Sequence, residues 1–171
     1  MKAILLIATL FTFLVGNNSS YQQYNDDYKQ INSNGITFRW KSEGGSLKCQ
    51  VKAPTPGWVS VGFKNSRGLI LSNQIMGCFR DGQSFCEDRY MVNLREKTLV
   101  EELGGNIAIE EFEILENNGI TEMYFTIAST PFDGYHYNLN EGEPVFVSLG
   151  FSRSDDFEQR AVMQFEAKIT I

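Results

Sequence analysis

The stretch Pro56-Gly57-Trp58-Val59-Ser60-Val61-Gly62-Phe63 decides the fold class. From Trp58 onward every second residue is Val59, Val61 or Phe63, which is the two-residue period of a β-strand with two different faces. Proline and glycine precede this run, and the polar residues 64–68 with another glycine follow it. Turns therefore bound the stretch on both sides, and it predicts a strand of a β protein.

The same alternation recurs between turn signals along the rest of the chain. Asp81-Gly82 separates two strand-like runs and is a strong hairpin signal. Residues 107–115 suit either a helix or a strand, but the Asn118-Gly119 turn and the strand-like run behind it favour a hairpin. About ten short strands with turns between them predict an all-β sandwich of antiparallel strands.

Three regions follow from composition. Residues 1–16 carry Lys2 and then the apolar run Ala3 to Val15, which predicts a secretory signal peptide; a signal anchor is the alternative. Residues 17–34 are polar, without a clear period, and predict an N-terminal arm or loop. Residues 35–171 make the sandwich domain. Since no second apolar run of spanning length follows, we expect a secreted, extracellular protein without a membrane span once the signal is removed.

The formal net charge of -6 argues against nucleic acid as a partner, because a phosphate backbone attracts basic proteins. Catalytic and metal-binding patterns are equally weak. The chain has one histidine, His136, and no G-x-S-x-G motif. Paired acids such as Asp155-Asp156 lack the regular ligand spacing of a calcium loop. The sequence predicts neither an enzyme nor a metal site.

Three cysteines in a secreted chain suggest one disulfide and one free thiol. Cys78 and Cys86 flank the Asp81-Gly82 turn. If the hairpin loop has three residues, these cysteines lie directly opposite and can bond; if it has two, they point to opposite faces. In the second case Cys86 faces inward, where Cys49 is an alternative partner. The expected bond is Cys78–Cys86, which needs no long-range contact.

The order of features resembles a DOMON domain, a family named after the N-terminal domain of dopamine β-monooxygenase. The matching pieces cover residues 36–171: Phe38-Arg39-Trp40, Gly57 to Phe63, Asp88-Arg89-Tyr90, residues 126–133 and Val145 to Phe151. The resemblance implies an immunoglobulin-like β-sandwich outside the cytoplasm. It also implies binding of haem b or sugars, or a role as a module beside redox domains.

The haem-binding branch of that family holds iron between a methionine and a histidine supplied by two loops at one end of the sandwich. The resemblance carries these positions to Ile70, in the loop after the Gly-Trp strand, and to Arg160, in the loop before the last strand. Neither side chain ligates iron in the usual way, so we expect no haem. Arg160 instead suits an anion or the hydroxyls of a sugar.

Loop aromatics supply the other candidate binding residues. Tyr135, His136 and Tyr137 lie together in a loop, where they could stack on a sugar, contact a protein partner, or simply cover the core. With Ile70, Leu71 and Arg160 they form the predicted ligand site. The leading expectation is a secreted, non-catalytic module that binds carbohydrate or another small ligand. The alternatives are a structural or adhesive subunit of an extracellular assembly and a b-type haem electron-transfer domain.

Overall fold

The computed structural model describes residues 27–171, and strands dominate it. A five-stranded sheet contains, in spatial order, β1 (Lys29–Ser33), β2 (Ile36–Glu43), β3 (Ser46–Ala53), β9 (Ile120–Ala128) and β8 (Ile109–Asn117). A six-stranded sheet contains β11 (Met163–Thr170), β10 (Pro144–Phe151), β4 (Val59–Lys64), β5 (Asn73–Arg80), β6 (Gln83–Asn93) and β7 (Glu96–Leu99). A 3₁₀ turn at Glu101–Leu103 is the only helical segment in this part of the chain. The all-β sandwich predicted from the sequence is confirmed.

Strand β4 lies inside the six-stranded sheet, between β10 and β5, and all its neighbours are antiparallel. Val59, Val61 and Phe63 point into the space between the sheets and are fully buried. The alternate residues Ser60 and Gly62 point to the outer face of the sheet. The alternation that predicted a strand with two different faces is therefore realised, with valine and phenylalanine on the core side.

The main core fills the space between the sheets and draws on almost every strand. Its largest fully buried side chains include Phe38, Phe63, Leu47, Ile75 and Leu149. A second, smaller cluster covers the outer face of the six-stranded sheet. It consists of Trp58, Met76, Cys78 and Phe157. Because Phe157 belongs to the loop 152–162, that loop folds back over the sheet and buries a face that would otherwise meet water.

The N-terminal boundary of the sandwich differs from the predicted one. Lys29–Ser33 forms strand β1, which pairs with β2 through the tight Asn34-Gly35 turn, where both residues have positive φ (51° and 82°). Residues 29–33 of the predicted arm are thus an edge strand, and the domain begins before residue 35. The predicted signal peptide, residues 1–16, and the first part of the arm lie outside the described residues.

The predicted Cys78–Cys86 disulfide is wrong for this structure, in which all three cysteines are free. Strands β5 and β6 pair Arg80 with Gln83, so the loop is the two-residue Asp81-Gly82 turn. Cys86 consequently lies opposite Gly77, and Cys78 points to the other face. The alternative Cys49–Cys86 bond is not formed either. The sulfur of Cys86 instead contacts Met123 Sδ at 4.0 Å.

Candidate binding site at the loop end of the sandwich

The strand register gathers three loops at one end of the sandwich. Loop 65–72 follows β4, loop 104–108 precedes β8, and loop 129–143 joins β9 to β10. Because Lys64 at the end of β4 pairs with Phe146 near the start of β10, the first and third loops are neighbours. We call this group the loop end. It contains five of the six residues predicted to form the ligand site.

His136 lies at the centre of the loop end, buried between two carboxylates. Its Nδ1 is 2.7 Å from Asp133 Oδ1, and its Nε2 is 3.0 Å from Asp88 Oδ2. The side chain is only 6% exposed. Burial by itself would lower the pKa of His136, but the hydrogen bonds and negative charges of Asp88 and Asp133 outweigh it and raise the pKa above its ordinary value. The two carboxylates thus favour the protonated form of His136, and neither ring nitrogen is available to a ligand.

The two carboxylates connect His136 to the surrounding backbone. Asp88 accepts hydrogen bonds from Asn73 Nδ2 at 2.5 Å and from the Ala108 backbone N–H at 2.8 Å. Asp133 accepts from the backbone N–H groups of Asn106 and Tyr135. Burial alone would raise the pKa of Asp133, yet those two N–H donors and His136 lower it below its ordinary value. The cluster therefore joins β6 to loops 104–108 and 129–143.

The hydroxyl groups of Tyr135 and Tyr137 both donate hydrogen bonds to backbone carbonyls. The Tyr135 hydroxyl donates to the Leu103 carbonyl at 2.7 Å, and its ring packs edge-on against Tyr90. The Tyr137 hydroxyl donates to the Leu71 carbonyl, and burial, with Tyr90 nearby, raises the pKa of Tyr137 to about 12. Both tyrosines are half-buried. Both side chains stabilise the loops and cover the end of the core, which is one of the alternatives predicted from the sequence. Neither presents a fully exposed ring.

The loop end exposes four large apolar side chains: Ile70 by 41%, Leu71 by 49%, Ile107 by 49% and Phe132 by 46%. Leu71 has φ +65°, in the left-handed region that branched residues rarely adopt. Its backbone is fixed there by two hydrogen bonds, from its own N–H to the Met91 carbonyl at 2.6 Å and from Tyr137 to its carbonyl. The Phe132 ring packs on His136 with centroids 5.0 Å apart.

Searches for a matching family model and for a similar curated protein found nothing. Solved structures are similar in fold. The cytochrome b domain of pyranose dehydrogenase from Coprinopsis cinerea superposes with a TM-score of 0.62 at 8% identity, over 84% of this chain and 81% of that chain. The fold is DOMON-like. The cytochrome domain of Myriococcum thermophilum cellobiose dehydrogenase gives a TM-score of 0.50 at 10% identity, with the same coverage of both chains.

Arg160 is the predicted site residue that the structure does not bring to the loop end. In this DOMON-like fold, loop 152–162 follows Phe151, which pairs with Val59 at the start of β4. Loop 65–72 follows the other end of the same strand. The expectation that Ile70 and Arg160 come from loops at one end of the sandwich is therefore wrong. Arg160 is exposed, and its loop is held by Glu158, which bonds Arg89 at 2.5 Å.

The residues of the DOMON-like fold do not fit a haem with two axial protein ligands. Ile70 is a hydrocarbon, and both nitrogens of the single histidine are bonded to carboxylates. The outer face of the six-stranded sheet carries a polar row in which Gln74 Nε2 donates to Ser148 Oγ at 3.0 Å. This amide lies over Gly62, where a Cβ added to the glycine would come within 2.0 Å of it. The chain's own side chains fill that face.

Asp88 is the site residue that sequence reasoning missed. It belongs to the Asp88-Arg89-Tyr90 motif, and it lies two residues from the inward-facing Cys86 on the same strand. An acidic residue at an inward position of a strand by itself indicates a buried polar site, because a buried carboxylate needs hydrogen-bond donors or a counter-charge. Its partner His136 is 48 residues away, so only the folded chain identifies it.

Proposed function

We propose that this protein is a secreted, non-catalytic binding module that holds a protein partner through exposed apolar side chains of its loop end, chiefly Ile70, Leu71 and Phe132. The observation that carries the proposal is Leu71. A leucine in the left-handed region costs about 1–2 kcal/mol relative to ordinary backbone, and glycine would avoid that cost. The chain keeps leucine there, fixes its backbone on both sides and leaves its side chain in solvent.

The chemistry of the loop end favours a protein over a sugar. Three of its four exposed large apolar side chains, Ile70, Leu71 and Ile107, are aliphatic and offer no ring on which a sugar stacks. The polar groups beside them, on His136, Asp133 and Tyr137, are bonded within the domain. A sugar site needs free polar groups aimed at the ligand, whereas a protein interface needs desolvated apolar anchors.

The non-catalytic part of the proposal is supported by the partners of the histidine. A nucleophilic site places a hydroxyl or thiol within hydrogen-bond reach of a base. Both ring nitrogens of His136 face carboxylates instead. Residues 27–171 also bring no three His, Cys, Asp or Glu side chains together in a metal-binding arrangement.

Secretion rests on the apolar run near the N-terminus, Ala3 to Val15, which is typical of a signal peptide. Among the described residues no helix is long and apolar enough to cross a bilayer. Mature protein from its native source is expected to begin between Asn17 and Tyr21, and its intact mass measures this.

The experiment compares Leu71→Ser with the matched control Leu115→Ser. Leu115 is a leucine of similar exposure, 46%, on the edge strand β8. Wild-type protein and both variants are immobilised and incubated with proteins from the native extracellular fluid. A candidate partner is then purified and titrated. We expect a partner whose affinity falls about tenfold with Leu71→Ser, as loss of an apolar anchor predicts, and is unchanged with Leu115→Ser.

Equal binding by wild type and Leu71→Ser would overturn the proposal, as would equal loss in both variants. A panel of oligosaccharides is tested in parallel. Oligosaccharide binding that Leu71→Ser abolishes would move this surface to the carbohydrate class. Thermal unfolding of each variant shows that the change in binding does not come from loss of the fold.

A further inference from the structure

In the described part of the chain, the two sheets end in the edge strands β1, β8, β7 and β11, and the first three are poor templates for pairing. Strand β7 has four residues, and its register with β6 shifts part-way along. Strand β8 has a similar shift, and Ser84 bonds both backbone groups of Ile114 in its middle. Strand β1 has only five residues. Short length, irregular register and covering contacts all hinder pairing with another chain.

Strand β11 has none of these features. Its eight residues, Met163–Thr170, pair with β10 in one unbroken antiparallel register, without proline or glycine. Ile171 bonds residues 142 and 143, which precede β10, through both its C=O and its N–H, so the odd-numbered residues of β11 face β10. The backbone groups of Gln164, Glu166 and Lys168 therefore point away from the sheet. No strand of the described residues pairs with that side of β11.

The core-facing side of β11 is also incompletely covered. Met163, Phe165 and Ala167 pack against the main core, but each remains only half-buried. The facing edge strand β1 reaches β11 at its last residue, where Lys29 Nζ donates to the Thr170 carbonyl at 3.4 Å. A further strand placed beside β11 would remove more of this apolar surface from water.

The charges on the outer face of β11 select the strand that fits beside it. The Glu166 carboxylate accepts from the Gly68 N–H at 2.6 Å, which fixes its position. Lys168 Nζ lies 5.8 Å from the centroid of the Phe146 ring and makes no ion pair with a described residue. A lysine on an edge discourages pairing with most strands. A strand that offers a carboxylate opposite Lys168 and an ammonium group opposite Glu166 removes that obstacle.

We propose that β11 is a self-association edge, along which a second copy of this chain pairs antiparallel about a two-fold axis at Ala167. This register places Glu166 of each copy opposite Lys168 of the other, and opposite charges across two strands stabilise the pair. Both residues have outward-facing backbone groups, so each pair exchanges N–H and C=O bonds. Sliding the register by two residues would put Glu166 opposite Glu166, or Lys168 opposite Lys168, which is destabilising.

The dimer joins two six-stranded sheets into one continuous sheet. Because the two-fold axis reverses the strand direction, the loop ends of the two copies face opposite ways. Self-association therefore does not depend on the partner proposed for the loop end. We expect Leu71→Ser to leave the affinity of the dimer unchanged.

The first test measures the mass of the full chain by sedimentation equilibrium, from micromolar to millimolar concentration. The wild type is expected to form a dimer. Lys168→Glu and Glu166→Lys each place like charges opposite one another in both pairs, and each is expected to raise the dissociation constant about tenfold. The double variant that carries both changes exchanges the signs within each pair and is expected to restore the wild-type affinity.

The second test examines the register by disulfide cross-linking. Opposing residues of a non-hydrogen-bonded antiparallel pair have Cα atoms about 4.5 Å apart, which suits a disulfide. Mild oxidation of Ala167→Cys is therefore expected to link two copies through the introduced thiols, as peptide mapping would show. The matched control is Gln164→Cys on the same strand. Its thiols are more exposed but would lie about 20 Å apart in the dimer, so it is expected to cross-link more slowly.

Four results would contradict self-association through β11. They are a wild type that stays monomeric at millimolar concentration, a dimer whose affinity Lys168→Glu does not change, a double variant as weak as the single variants, and cross-linking of Gln164→Cys as fast as that of Ala167→Cys. Thermal unfolding of each variant monitors the fold. If Glu166→Lys unfolds the protein, because it loses the bond to Gly68, Lys168→Glu and Ala167→Cys decide the outcome.

Discussion

His136 and its two carboxylate partners link strand β6 to loops 104–108 and 129–143. Replacing His136 with glutamine leaves Asp88, whose side chain is fully buried, without its counter-charge. We expect His136→Gln to lower the free energy of unfolding by about 3 kcal/mol, the usual cost of breaking a buried ion pair. Urea denaturation of wild type and variant at neutral pH measures the difference. A change no larger than that of an exposed substitution would contradict the internal ion pair.

The same residue predicts a dependence on pH. A histidine whose pKa is raised on folding contributes stability that is complete below its unfolded pKa of about 6.5 and is lost as pH rises through the folded value. The difference in free energy of unfolding between wild type and His136→Gln should therefore shrink as the pH rises from about 6.5 through the folded pKa of His136. Asp133, whose pKa is lowered on folding, contributes stability above its unfolded pKa. That contribution is lost as the pH falls through its folded pKa. A difference that stays constant from neutral to alkaline pH would rule out a charged His136.

Leu71 is the other residue with a specific expectation. Leu71→Gly relieves the left-handed strain but makes the unfolded chain more flexible, and the two effects nearly cancel. We expect the free energy of unfolding to stay constant or rise by up to about 1 kcal/mol. The control is Leu115→Gly in strand β8, which relieves no strain and should lower stability by about 1 kcal/mol. Equal losses in both variants would show that Leu71 is unstrained.

At the scale of elements, β8 is an edge strand that the opposite sheet covers at one point. The hydroxyl of Ser84 on β6 accepts from the Ile114 N–H and donates to the Ile114 carbonyl, both at 3.0 Å. A free strand edge is a template for pairing with another chain, so this contact blocks the middle of the edge.

Removing that hydroxyl should have two effects. Ser84→Ala leaves two backbone groups of a buried residue unpaired, and we expect unfolding to become easier by about 1–3 kcal/mol, with faster aggregation on mild heating. The control is Ser46→Ala, which removes an exposed hydrogen bond to Glu110 and should cost little. Denaturant titration and light scattering measure the two effects. Matching behaviour of the two variants would exclude a protective role for Ser84.

The elements differ in how well the sequence predicts them. Alternation identified β4 and β9, because each has one face in the core. Strand β1 was not predicted from the sequence, because an edge strand that is exposed or half-buried along its length needs no apolar period. The β5–β6 hairpin shows another limit. A turn containing Asp81-Gly82 suits two loop lengths, and the choice between them reverses the face of Cys86 and decides whether a disulfide can form.

The candidate site was less predictable than the fold. Sequence proximity grouped Tyr135, His136 and Tyr137 correctly, yet it could not show that their polar atoms bind Asp88, Leu71 and Leu103. Those contacts depend on the register of strands far apart in the chain. For the same reason the sequence could not show that the loop of Arg160 leaves the sheet at the opposite end from loop 65–72.

At the scale of the whole molecule, we predict that the protein does not form a cytochrome. Its one histidine would have to give up a carboxylate in a buried site before it could ligate iron. Purified protein titrated with haemin is expected to show no low-spin spectrum at one equivalent, in either oxidation state. Sharp low-spin bands that disappear in His136→Gln would contradict this prediction and favour an electron-transfer domain.

The free cysteines can serve as probes of local opening, because a buried thiol reacts only when the structure around it opens. Burial raises the pKa of each thiol, that of Cys78 to about 11, so at neutral pH the native protein offers little reactive thiolate. Cys49 lies between the sheets, whereas Cys78 lies under the segment that carries Phe157. Alkylation of Cys78 needs only that segment to lift, but alkylation of Cys49 needs the sheets to part. Pulse labelling followed by mass spectrometry should therefore detect modified Cys78 before modified Cys49, and the interval between the two events measures how independently the loop moves from the sandwich.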